Sequence, residues 1–483
     1  MRRAAVLLLF CALAPAWAAP PLVQRIRRVI NSSPAAKTAF WGIQIVDQST
    51  GKTLVDLNGD HFFVPASNTK LFTAALALKR LGADYKFRTT VRLDPDGSIR
   101  LVGGGDPNLN NRTIPYQKGP RTGNPLQAIE ELADQVVAHG VTRVGGDVIG
   151  DDSAYVWQPF PPGWALDDAL WDYGAAVSAL TLNDNSFTLA LTAGAAEGDP
   201  VTVALDPAVE FYQIDNQVRT AVTTGRIFIE REPGSMQLRL WGILAPQRVD
   251  TRMLGIDHPA LYAARAFYDA LTQRGVNITG QPRAHHLFPD DVPDLRLGWE
   301  QDPPKGKELA TRESAPLIED LRIMAKVSQN LHAELLLRAV ARVRRHVGSR
   351  QAGLEEMRDF LTEAGVAEED YRFEDGSGLS RMNELRPSAV VKLLHYMYDT
   401  PQWMDLLPVG GEDGTLAARF KGTRAAGRIH AKTGTLSHVS ALSGYAVRRS
   451  GTVRTFSIIV NNYNADSSEV RAVIDKICNL MVE

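Results

Sequence analysis

Ala66-Ser67-Asn68-Thr69-Lys70-Leu71-Phe72-Thr73-Ala74-Ala75-Leu76-Ala77-Leu78 reads as a helix with no polar side. Nearly every residue from Leu71 to Leu78 is apolar, so the helix is expected to be buried all round. Pro65 just upstream suits a helix start, and Gly82 suits its end. Ser67 then falls in the first turn, with Lys70 three residues on and on the same face. A lysine at the mouth of an apolar helix is costly. Desolvation and a second nearby cation lower its pKa and leave a neutral amine able to take the Ser67 proton. The free N–H groups at the helix start favour negative charge on the serine or its adduct. Ser-x-x-Lys alone also arises by chance in a chain of this length, so the rest of the sequence has to arbitrate.

Upstream, Leu22 to Ile30 is a short amphipathic helix, and Trp41 to Asp47 with Thr53 to Leu57 form a hairpin around Ser49-Thr50-Gly51-Lys52. Downstream, from about Lys86, the texture changes to short strands and glycine turns, with helices at Pro125 to His139 and His258 to Gly275. Five strands at 187–192, 201–205, 212–216, 226–232 and 236–242 are spaced like a small β-rich unit, and 277–302 returns through proline-rich loops. Gly103-Gly104-Gly105 lacks the lysine and the βαβ setting of a phosphate loop and reads as a turn. Helices resume at Ser314 to Val327, Leu331 to Val343, Leu354 to Ala364 and Pro387 to Tyr398. The chain closes with strands at 428–433, 441–448 and 452–460 and a helix from Ser468 to Met481.

The first hairpin and the last three strands can make one five-stranded antiparallel sheet flanked by the terminal helices. The expected fold is therefore α+β. Segments 19–85 and 310–483 form one domain, and the β-rich region 86–309, itself of two smaller parts, is inserted into it. At 483 residues, more than one core is required. With 44% hydrophobic and 22% charged residues and a net charge of −2, nothing points to nucleic acid. Arg2-Arg3, the apolar run Ala4 to Leu13 and Ala16-Trp17-Ala18 read as a signal peptide, residues 1–18, and imply export to the periplasm. Its removal leaves Cys478 as the sole cysteine, so no internal disulfide is expected.

Two further motifs follow in the resumed domain: Ser328-Gln329-Asn330 between two helices and Lys432-Thr433-Gly434-Thr435 at a strand end. In this order the chain resembles the penicillin-recognising serine transferases. Among them it is similar to the class C low-molecular-mass penicillin-binding proteins, the D-alanyl-D-alanine carboxypeptidase/endopeptidase family, which carry a β-lactamase/transpeptidase-like domain. The 260 residues between Ser67 and Ser328, the stretches Ser328-Gln-Asn-Leu-His-Ala-Glu334 and Asp375-Gly-Ser-Gly-Leu-Ser380, and Gly163-Trp164 with Asp167-Asp168 and Tyr173 support it.

The resemblance implies a role for each motif residue. Ser67 is the nucleophile and Lys70 its base. Ser328 bridges both lysines and the leaving amine, and Asn330 holds the substrate amide. Lys432, Thr433, Gly434 and Thr435 form the strand that binds the terminal carboxylate, with the N–H groups of Ser67 and Thr435 as oxyanion hole. Trp164, Asp167, Asp168, Tyr173 and Arg381 are implied to receive the side-chain end of the stem peptide. Glu334 is read as a structural contact on its helix. Substrates are peptidoglycan peptides ending in D-Ala-D-Ala, β-lactams acylate Ser67, and no metal or cofactor is implied. A β-lactamase or esterase on the same core and a non-catalytic peptidoglycan- or β-lactam-binding protein are the rivals. The first is usually compact, without such an insertion, and the second does not need three intact motifs.

Overall fold

The computed structural model describes residues 20–119, 121–223, 225–298 and 306–483. The expected signal peptide lies outside the described residues, as do parts of the proline-rich return at 277–302. Strands Phe40–Asp47 and Thr53–Leu57 join Ile429–Leu436, Val439–Val447 and Val453–Asn461 in one sheet. Its order is 429–436, 439–447, 453–461, 40–47, 53–57, antiparallel throughout. Pairing of Phe40 with Asn461 brings the early and late parts of the chain together.

Side chains alternate between two cores, as the period of a strand requires. Ile43, Ile45, Leu442, Ala446, Ile458 and Val460 face the helices Leu22–Asn31 and Ser467–Met481. Ala441, Tyr445 and Ile459 face the opposite core. There the helix Thr69–Leu81 is buried at every residue from Thr69 to Leu78, as its sequence requires, and ends at Gly82 with φ +84°. Helices Leu317–Val327, Asn330–Arg345, Arg350–Glu363 and Pro387–Met397 surround it.

The region between is β-rich, and its sheets share one hydrophobic core that includes Val91, Ile99, Phe187, Leu189, Val218 and Leu238. A mixed five-stranded sheet runs Pro282–Leu287, Val148–Val156, Ile99–Val102, Arg88–Leu93, Lys307–Glu313, covered by the helices Gln127–Ala138 and Pro259–Gln273. Two three-stranded sheets follow: Ile227–Glu230, Gln237–Leu244, Gln213–Thr220 and Val249–Gly255, Ser186–Thr192, Thr202–Asp206. Strands Val249–Gly255, Pro282–Leu287 and Lys307–Glu313 were not expected from the sequence. Val249–Gly255 is mostly exposed, Pro282–Leu287 is mostly half-buried and Lys307–Glu313 buries only the adjacent Leu309 and Ala310, so none shows a clean apolar alternation. Lys307–Glu313 runs across residues 309 and 310 and pairs with Arg88–Leu93. The Gly103–Gly105 turn serves close packing: a Cβ at Gly104 would lie 2.1 Å from the Arg88 carbonyl oxygen.

Candidate active site

Ser67 does not sit in the first α-helical turn. It occupies a single 3-10 turn, Ala66–Asn68, and the α-helix begins at Thr69. Ala66 holds φ at +49°, a region disfavoured for any residue with a Cβ. Its surroundings impose this. A Cβ at Gly378 would stand 1.9 Å from the Ala66 carbonyl oxygen, and one at Gly434 would stand 3.1 Å from the Ser67 nitrogen. The Thr69 hydroxyl donates to the Ala66 carbonyl at 3.1 Å, and Asn68 Nδ2 donates to the Lys432 carbonyl at 3.4 Å. Ser67 is thus pinched between the Asp375–Ser380 turn and the Ile429–Leu436 strand.

Lys70 is 1% exposed. Its Nζ lies 2.9 Å from Ser67 Oγ, 2.6 Å from Asn330 Oδ1 and 2.6 Å from the Ser377 carbonyl oxygen. Asn330 Nδ2 donates to the Tyr173 carbonyl at 2.8 Å, which orients the amide with its oxygen towards Lys70. Two of the three partners can only accept. A neutral amine gives them its two hydrogens and points its lone pair at the Ser67 hydroxyl. Burial, opposed in part by Asp375 and Glu334, pulls Lys70 down to about 7. The neutral form is therefore well populated at neutral pH.

The Ser377 carbonyl is itself held fast. The Gly376 and Ser377 N–H groups both donate to Glu334 Oε1 at 2.9 Å. Glu334 bonds Arg338 one turn along its helix at 2.9 Å, the expected contact, but its reach across to this turn is new. Asp375 accepts from Ser377 Oγ at 3.0 Å, Gly378 N at 2.8 Å, Ser380 N at 2.7 Å, Asn383 Nδ2 at 2.6 Å and Trp164 Nε1 at 2.9 Å. Asp375, Ser377 and Glu334 shape the surroundings of Lys70. The sequence shows Asp375 and Ser377 in a tight glycine turn and Glu334 on a helix, but nothing in either pattern shows that Glu334 faces that turn.

Lys432 is also 1% exposed, and its Nζ donates to Ser328 Oγ at 2.7 Å and the Thr433 carbonyl at 2.8 Å. Burial, then the neighbouring Lys70, push it well below the usual lysine range. Ser328 ends the Leu317–Val327 helix in the left-handed conformation, φ +65°, and Asn330 opens the next helix. The expected bridge from Ser328 to both lysines is divided: Ser328 bonds Lys432, and Asn330 reaches Lys70.

A cleft of about 400 Å³ opens over these groups, lined by Ser67, Ser328, Asn330, Thr435, Asp167, Asp168, Tyr173 and Arg381. Asp168 accepts from the Ala165 N–H at 3.0 Å. Burial, then Asp168 and Asp167, push the Tyr173 hydroxyl up to about 12. Arg381 N donates to the Gly163 carbonyl at 3.2 Å and Ser380 Oγ to the Pro162 carbonyl at 2.7 Å, tying the two walls together. Thr433 bonds Thr415, hydroxyl to hydroxyl, at 2.8 Å. Trp164 lies outside this cleft. It braces Asp375 and lines a second cavity of about 700 Å³ behind the Pro161–Leu170 loop.

The model of the D-Ala-D-Ala carboxypeptidase 3 (S13) family matches residues 22–481. The chain belongs to that family. It is an α+β hydrolase of the serine-type D-Ala-D-Ala carboxypeptidase class. It is 34% identical over 463 residues to a D-alanyl-D-alanine carboxypeptidase of Actinomadura sp. (strain R39), covering 90% of this chain and 80% of the relative. It is 26% identical to D-alanyl-D-alanine carboxypeptidase DacB of Haemophilus influenzae, over 86% of this chain and 84% of that protein. The crystal structure of penicillin binding protein 4 from Haemophilus influenzae has the same fold, with a TM-score of 0.78 at 24% identity over 95% of this chain and 97% of that one.

Proposed function

We propose that the cleft hydrolyses the bond between two D-alanines at the end of a peptidoglycan stem peptide, through an acyl-enzyme at Ser67. The three contacts of Lys70 carry this reading, because they leave its lone pair directed at Ser67 Oγ. Ser67 attacks the carbonyl as Lys70 takes its proton. The tetrahedral oxyanion is received by the N–H groups of Ser67 and Thr435, a contribution of about 3 kcal/mol per donor. Ser328, on Lys432, passes a proton to the departing D-alanine amine. Asn330 holds the substrate amide, and Lys432 with Thr433 and Thr435 binds the terminal carboxylate. Water then attacks the ester, giving a proton to the Ser328–Lys432 pair, while Lys70 returns the proton it took to Ser67 Oγ; the shortened peptide leaves and both pairs are reset. A β-lactam presents a cyclic amide to the same serine and opens onto it.

Asp167, Asp168, Tyr173 and Arg381 receive the charged side-chain end of the stem's third residue; Trp164 supports the turn beneath. A leaving group carried by a second stem makes the same step an endopeptidase reaction. Such a substrate lies outside the cytoplasmic membrane, which agrees with export under the signal at 1–18 and with residence in the periplasm. Among the described residues no helix is long and apolar enough to cross a membrane. Segments 19–85 and 310–483 make the proposed catalytic unit, with 86–309 set into it, except that strand Lys307–Glu313 crosses this border to pair with Arg88–Leu93 of the inserted sheet.

The test is chromatography of a pentapeptide stem ending in D-Ala-D-Ala and of a cross-linked dimer, each incubated with the wild type and with Ser67→Ala. D-alanine is expected from the pentapeptide with the wild type alone. No release sinks the carboxypeptidase reading; cleavage of the dimer extends it to endopeptidase activity.

A further inference from the structure

The β-rich region meets the Ser328-Gln329-Asn330 turn at one buried carboxylate. Asp184 lies in a run of three non-glycine residues with positive φ: Asn183 at +50°, Asp184 at +57° and Asn185 at +50°. Such a backbone persists only where its surroundings over-determine it. Asn185 bonds the Leu182 N–H at 3.1 Å and the Ala176 carbonyl at 2.8 Å, and Asn183 Nδ2 donates to the Ser186 carbonyl at 2.9 Å. Asp184, 1% exposed, accepts from Asn110 Nδ2 at 3.0 Å and from Arg112 and Arg121. Burial works against its charge, but the two arginines override it and hold the carboxyl well below its usual range.

The same carboxylate reaches the second motif. Gln329 Nε2 donates to Asp184 Oδ2 at 3.1 Å, and His332 Nε2 lies 3.3 Å from Oδ1. Gln329 stands between the two side chains that touch the lysines, and its own Oε1 accepts from the Leu331 N–H at 3.1 Å. We propose that Asp184 is a positioning residue for the reaction at Ser67: through Gln329 it sets the left-handed Ser328 turn and keeps Asn330 on Lys70 and Ser328 on Lys432. The inserted region thereby acts on the chemistry from the rear, apart from the cleft wall it also supplies. This rests on the reading of Ser67 as the acylated nucleophile.

Asp184→Asn deprives two part-buried arginines of their counter-charge and threatens the fold. Gln329→Glu is therefore the sharper variant, since its carboxylate still accepts from Leu331 N but repels Asp184. The double variant Gln329→Glu/Asp184→Asn returns one charge and one amide to the pair with the polarity reversed. Stopped-flow acylation by a chromogenic cephalosporin separates the covalent rate constant from the preceding dissociation constant, with thermal unfolding run alongside. Gln329→Glu is expected to slow the covalent step about 100-fold with the dissociation constant unchanged. The double variant is expected to recover to within about threefold of wild type. Wild-type rates in both single variants overturn the proposal, and so does a double variant no faster than the slower single. A wild-type protein that the cephalosporin leaves unmodified overturns the nucleophile reading and this proposal with it.

Discussion

Lys70 and Arg381 serve the same cleft, Lys70 buried at 1% exposure beneath it and Arg381 exposed on its wall. Around Lys70 every neighbour is fixed in turn: Asn330 by Tyr173, Ser377 by Glu334, and the glycine turn by Asp375. The wall is a pair of loops whose charged ends face solvent, joined through main-chain contacts such as Arg381 N to Gly163. The difference separates two tasks. Burial and fixed partners tune a proton acceptor, whereas exposed charges can select a substrate without altering the bond-breaking groups.

The largest effect is expected on the floor. Lys70→Met removes the proposed base while preserving bulk, and acylation by benzylpenicillin is expected to slow by about 10²- to 10⁴-fold. A loss below tenfold would break the contrast, since the floor would then work without its buried amine. A graded version comes from pH. In the proposed mechanism the reactive form is the neutral amine, and the Lys70 pKa is lowered to about 7. The kcat/KM for a D-Ala-D-Ala peptide therefore falls about tenfold for each unit below that value and levels off above it. A flat profile between about pH 5.5 and 8.5 would assign the proton to another group. The smallest effect is on the wall. Asp167→Asn is expected to lower kcat/KM about tenfold for a peptide with a free ammonium on its third side chain, and to leave benzylpenicillin acylation unchanged. Equal losses with both reagents would erase the distinction between wall and floor.

Much of the floor was legible in the chain. The apolar run after Lys70 required a buried helix, and three short motifs in order placed Ser67, Lys70, Ser328, Asn330 and Lys432 in one family. What escaped was polar and aperiodic. The left-handed Ala66 is set by Gly378 and Gly434, residues hundreds of positions away, so local signals suggested an ordinary helix start. Glu334 and Asp375 point inward from a helix and a turn, and only the fold shows that they hold the Ser377 carbonyl. Strand Val249–Gly255 pairs with Ser186–Thr192 through its backbone while most of its side chains stay exposed, so it carries no apolar alternation. Trp164 shares a loop with Asp167 and Asp168, yet its ring turns away from the cleft and braces Asp375. Asp184 stands in the polar run Asn183-Asp184-Asn185-Ser186, and nothing local marks its contact with Gln329.

The most direct test of the account is intact-mass spectrometry of the purified protein with benzylpenicillin, beside Ser67→Ala, followed over hours. A one-to-one adduct on the wild type that persists and never forms on the variant is the expected result. An adduct on Ser67→Ala, or none on the wild type without turnover of the drug, would contradict Ser67 as the nucleophile over which this cleft is built.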